Sequence, residues 1–127
     1  MGMTRDWDLT RRIMLDVVDK TDYGGDPGKV IDQLAKEIGE AKVMLHVSWL
    51  VDEGLLEADR LSATFGGPSY PQYIVNRVTA SGQAFVQAVA SSTGWKGFLS
   101  RIAELAREGA RISIPVVLEL GLRQFGR

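Results

Sequence analysis

The chain has 127 residues, of which 45% are hydrophobic, with no cysteine, one histidine and a formal net charge of -1. Such a composition suits one globular domain with a real core and excludes disordered, collagen-like and disulfide-stapled classes. Without a thiolate or a second imidazole beside His46, cysteine-based and paired-histidine metal sites are excluded as well, and no metal or cofactor is expected.

Apolar residues Trp7, Leu9, Ile13, Met14, Val17 and Val18 recur at helical spacing and predict a first amphipathic helix over 7–20. The Thr21-Asp22-Tyr23-Gly24-Gly25 cluster breaks it. Asp26-Pro27 opens a second helix, since aspartate caps free N–H groups and proline at the first position loses nothing. Its apolar side is Val30, Ile31, Leu34 and Ile38. After Gly39 a third helix is predicted over 40–53, striped by Val43, Met44, Val47, Leu50 and Val51 and stopped at Gly54. Two helices joined by a tight glycine turn form a helix-turn-helix signature, with the third helix in the recognition position.

A strand over 55–63, a flexible turn from Gly66-Gly67-Pro68-Ser69 through Pro71, and a returning strand Tyr73–Val78 follow. Thr79 can cap a fourth helix carrying Phe85, Val86 and Val89. A fifth begins around Gly94-Trp95 and runs to Gly109, and a last one opens at Ser113-Ile114-Pro115 and reaches Leu122. The expected fold is therefore mainly α with a small β-hairpin wing: a winged helix-turn-helix core over 1–92. A C-terminal helical extension over 93–127 would pack on that core or form a dimer interface, within one compact domain overall.

Three stretches together resemble a known family: Arg5-Asp6-Trp7-Asp8-Leu9 through Ile13-Met14-Leu15, VMLHVSWLVDEGLL from Val43 to Leu56, and Val78-Thr79-Ala80-Ser81-Gly82-Gln83-Ala84-Phe85. The likeness extends to Thr93-Gly94-Trp95 and to Gly109 through Pro115 and Leu118. The family is an uncharacterised bacterial and phage one, a domain of unknown function. The resemblance implies a winged helix often carried by prophages, and no activity. The middle stretch also looks like the recognition helix of winged-helix repressors, ending in Leu50-Val51-Asp52-Glu53-Gly54-Leu55-Leu56.

At about 100° per residue with Val47 facing the core, the third helix turns Lys42, Leu45, Trp49, Asp52 and Glu53 outward, with His46 and Ser48 on the flanks. In a DNA-binding reading, Lys42, His46 and Ser48 address the major groove while Arg60 and Arg77 on the wing arms steady phosphates. Two features speak against it. Where repressors of similar pattern commonly carry a polar or basic residue, this chain has Leu45, and between Arg60 and Arg77 the wing has no basic residue. Charge is also divided unhelpfully: residues 1–60 carry 8 Lys/Arg and 13 Asp/Glu, a net -5, and residues 61–127 carry 7 and 3, a net +4. In the alternative reading the same fold is a protein-interaction module, such as a phage-encoded modulator of a host complex, with Leu45 and Trp49 as its anchors. The structural readings are that His46, on a helix flank, has a structural or surface role and that Trp49 packs under the wing.

Numerous carboxylates lie on amphipathic helix faces, and no Ser/His/acid or Cys/His arrangement activates a nucleophile, so catalysis is not expected. The apolar faces over 94–123 need cover, for which a homodimer is the expected solution. No apolar run approaches the roughly 20 residues that cross a bilayer, and MGMTRDWDLTRR lacks a signal peptide's apolar stretch. The expected setting is soluble and cytoplasmic, with no membrane partner.

Overall fold

A computed structural model of the protein describes residues 4–22, 24–61, 67, 69–109 and 112–125, with side chains to residue 119. Helix α1 (Trp7–Thr21) starts where Asp6, in extended backbone, accepts a hydrogen bond from the Leu9 N–H through its carboxylate. Asp26 does the same for α2 (Pro27–Ile38), accepting from the Gly28 N–H with Pro27 at the first position. Gly39, with φ of +128°, closes α2 and leads directly into α3 (Glu40–Asp52). That backbone angle is one that a side chain would strain, which is why the tight turn falls on a glycine. At the other end of α3, the Leu55 N–H bonds the Leu50 carbonyl and the Gly54 N–H bonds that of Val51, the reciprocal closure of a Schellman cap.

Strands β1 (Leu56–Arg60) and β2 (Tyr73–Val78) form an antiparallel hairpin, from Leu56 opposite Val78 to Arg60 opposite Tyr73. A bulge lies between Glu57 and Ala58, so that Glu57 faces Arg77 and Ala58 faces Val75. The first strand ends earlier than the 55–63 expected, with one more ladder bond from the Leu61 N–H to the Gln72 carbonyl. Residues 62 and 63 of the expected strand and 66 and 68 of the expected turn lie outside the described residues. Helix α4 (Ala80–Val89) follows. Thr79 caps it by accepting from the Gly82 N–H, and its hydroxyl donates to the Gly54 carbonyl, tying the α4 start to the end of α3. Helix α5 (Ser92–Arg107) begins two residues before the expected Gly94 because Ser91 caps it, accepting from the Gly94 N–H. Helix α6 (Ile114–Phe125) is the last described element.

The chain forms two compact units, Met1–Gln83 and Ala84–Arg127. In the first, Ile13, Met14 and Val17 of α1 are buried, as are Ile31 and Leu34 of α2, Val43, Val47 and Leu50 of α3, and Leu55, Leu56 and Val75 around the hairpin. Burying such side chains removes about 25 cal/mol of unfavourable hydration per Å² of apolar surface and is the main force holding the three helices together. In the second unit, Phe85 meets Phe98 edge-on at 5.3 Å, and Trp95 stacks on Phe98 at 5.6 Å. Ile102, Leu105, Ile114 and Val117 complete its core. The succession of three helices, a β-hairpin and a fourth helix is that of a winged helix-turn-helix core, and further helices extend it. Among the described residues no helix is long and apolar enough to cross a membrane.

Candidate recognition face of the third helix

Helix α3 divides lengthwise into three stripes. Val43, Val47 and Leu50 face the core and are fully buried. Lys42, His46, Trp49 and Glu53, spaced as successive helical neighbours, form a second stripe. This stripe is covered by the extended residues that precede α1. The Asp6 N–H donates to His46 Nε2 at 2.8 Å, and the Asp6 carboxylate pairs with Lys42 Nζ at 3.2 Å. Arg5 pairs with Glu53 at 2.6 Å, and its guanidinium lies 4.2 Å from the Trp7 ring centre and 5.6 Å from that of Trp49. The third stripe, Ala41, Leu45, Ser48 and Asp52, contains no cation. Glu40 beside it is exposed and accepts from the Gln72 side chain at 3.1 Å.

Asp6 is the junction of this arrangement. One carboxylate oxygen caps α1 and the other holds Lys42, while its carbonyl accepts from both the N–H and the hydroxyl of Thr10. The hydrogen bond from Leu9, aided by Lys42, holds the Asp6 carboxyl below its ordinary pKa of 3.8. The His46 ring is fully buried and sits edge-on to Trp49 at 4.9 Å between centres. Burial, with the cations Arg5 and Lys42 adding to it, lowers the ring's pKa from 6.5 against the raising effects of Asp6 and the Lys42 carbonyl. The pair of Arg5 with Glu53 is the most buried ion pair of this face, its side chains 15% and 11% exposed, whereas Lys42 and Asp6 are 40% and 37% exposed. Removing one partner of a buried pair costs about 3–5 kcal/mol, but an exposed pair contributes about 1 kcal/mol or less.

This geometry corrects two of the expected DNA contacts. His46 is buried with both ring nitrogens engaged inside the chain, and Ser48 is 7% exposed with its hydroxyl donated to the Leu45 carbonyl at 2.6 Å, so neither presents a free group to a base edge. Lys42 is half-exposed but tied to Asp6. On the wing, Arg60 is exposed at the end of β1, while Arg77 is paired with Glu57 at 2.8 Å across the hairpin. Of the two expected anchors of the alternative reading, Leu45 lies half-buried on the third stripe. Trp49 is half-buried with Arg5 and His46 as its ring partners.

Sequence reasoning missed Arg5 and Asp6 as members of this face, and it turned Trp49 and Glu53 outward where Arg5 covers them. The pairing of Asp6 with His46 spans 40 positions and has no local signal.

Fold and face together describe a mainly helical protein with a small β-hairpin, whose third helix is partly covered by the residues around the start of the first. The chain belongs to the family of hypothetical proteins DUF2513, which matches residues 4–107. That span takes in the covering residues, the wing and the helices through α5. Comparisons with curated proteins and with solved structures gave no significant match.

Proposed function

We propose that the protein is a winged-helix interaction module that contacts another protein through the uncovered stripe of α3. The observation carrying this reading is the composition of that stripe. Ala41, Leu45 and Asp52, beside Glu40, offer an apolar strip edged by carboxylates, which complements an apolar and basic partner surface. Held by carboxylates of the same chain, Arg5, Lys42 and Arg77 are poorly placed to neutralise phosphates. The unit that contains α3, Met1–Gln83, carries 9 Lys/Arg against 13 Asp/Glu and would repel a polyanion. A cytoplasmic setting, without cofactor or catalysis, belongs to this reading.

The test uses the intact protein with a photoreactive residue in place of Ala41. In cells of the source organism it should yield one discrete protein adduct that is lost on Leu45→Glu, while random duplex DNA is not retarded at low salt. A salt-sensitive complex with a defined duplex, weakened by Lys42→Ala and Arg77→Ala, would overturn the reading.

A DNA-binding transcriptional regulator, prophage-borne and homodimeric, is the second reading. It is favoured by the order of elements, shared with winged-helix repressors, and by exposed Arg60. Its mark would be a log-log salt slope of about three or steeper, corresponding to three or more phosphate contacts.

A further inference from the structure

The covering of α3 rests on a hydrogen-bond pattern that only one protonation state of His46 satisfies. Nδ1 faces the Lys42 carbonyl at 2.7 Å, and because a carbonyl can only accept, Nδ1 carries the ring proton. Nε2 faces the Asp6 N–H at 2.8 Å and must present its lone pair. The ring is therefore the neutral Nδ1–H tautomer. A proton added at Nε2 would set two N–H donors against each other in a fully buried site, where neither has water to turn to.

We propose that residues 5–7 are an acid-released strap, held on α3 by neutral His46 and let go when the ring takes up a second proton. The charged groups acting on the ring are Arg5 and Asp6 from the strap and Lys42 from α3 itself; Glu53 acts through its pair with Arg5. Arg5 and Lys42 oppose a charged ring, and the remaining attraction, from Asp6, does not restore an acceptor for the Asp6 N–H. Release is local because α1 is held independently, with Ile13, Met14 and Val17 fully buried beyond its first turn. Once released, the strap parts Asp6 from Lys42 and Arg5 from Trp49 and Glu53, uncovering on α3 a second stripe of Lys42, charged His46, Trp49 and Glu53. This goes beyond the proposed protein contact, which uses a different stripe.

His46 is the only histidine, so its ring signals in the isotopically labelled full-length protein are unambiguous. At about pH 7.5 the two ring nitrogens should show the Nδ1–H tautomer. Lowering the pH to about 4.5 should shift the Asp6 amide and the Trp7 and Trp49 indole signals with one midpoint, shared with His46 and lying below 6.5, while Trp95 and the core amides hold still. His46→Gln, which keeps a carbonyl acceptor but does not titrate, should abolish the shift at Asp6. An Nε2–H tautomer, an Asp6 amide indifferent to His46 protonation, or a single collapse of all signals would each overturn the strap. Wild-type titration alone decides the matter if His46→Gln does not fold.

Discussion

Asp6 concentrates more structural work than any neighbouring side chain, and two substitutions separate its roles. Asp6→Asn keeps an oxygen for the Leu9 N–H and the backbone donor to His46 but discards the charge opposite Lys42. Because that pair is well exposed, the loss should be under about 1 kcal/mol. Asp6→Ala also removes the cap and should cost about 1 kcal/mol more, measured by urea unfolding. At Arg5 the balance differs: Arg5→Ala strips a mostly buried Glu53 of its cation and uncovers Trp7 and Trp49, for an expected loss of about 3 kcal/mol. At this scale the sequence was least informative. Helical geometry put His46 and Ser48 on the flanks of α3 correctly, but what covers a flank depends on residues distant in the chain. The structural reading of His46 was sound for that reason, and its assignment to base edges was not.

Elements were far more legible than their partners. Most of the apolar stripe expected of α1, α2 and α3 is buried, with Trp7, Val18, Ile38 and Val51 half-buried at its edges, and the caps at Asp26, Thr79 and the Gly39 turn fall where turn and cap chemistry placed them. Less legible were ends set by a single side chain, such as the Ser91 cap that advances α5. A test at this scale is Gly82→Ala in α4. Alanine favours an exposed helix by about 1 kcal/mol over glycine, but a β-carbon here would stand 2.3 Å from the Leu55 carbonyl oxygen and 2.6 Å from a Val78 methyl. The backbone oxygen cannot step aside, so the substitution should lower stability by at least about 1–3 kcal/mol. At Gly39 the obstacle is conformational: the site is spatially open, yet Gly39→Ala should still destabilise by more than about 1 kcal/mol because of the positive φ. Thermal unfolding of both variants separates crowding from backbone strain, since only the first should be partly relieved by Val78→Ala.

For the whole molecule, the shifted groups set the acid response. His46 and Asp6 both bind protons more weakly in the folded chain, so the unfolded state takes up more protons as pH falls and stability declines. The His46 contribution is complete above 6.5 and is lost as pH drops below it. That of Asp6 is complete above 3.8 and is lost further down, through its depressed folded value. Chemical unfolding across this range should therefore show two successive losses, and His46→Gln should erase the first. The near-zero total charge divides between an acidic Met1–Gln83 unit and a basic remainder of 6 Lys/Arg against 3 Asp/Glu. The helix-turn-helix order and wing were legible because periodicity and turn residues encode them locally. The occupancy of the recognition face was not, because it depends on pairings between distant residues.

The bulge in the wing has a consequence for chain length. Val75 and Val78 stand three residues apart yet both turn from solvent, and Asn76 and Arg77 are both exposed, reaching Asp59 and Glu57. Regular alternation would not allow this, since it sends every second residue to the same side. Deleting Asn76 would therefore leave a plain hairpin with the same valines inward and Arg77 still opposite Glu57, whereas a one-residue deletion elsewhere in β2 would turn part of the strand inside out. Position 76 is thus where this strand can change length and keep its faces.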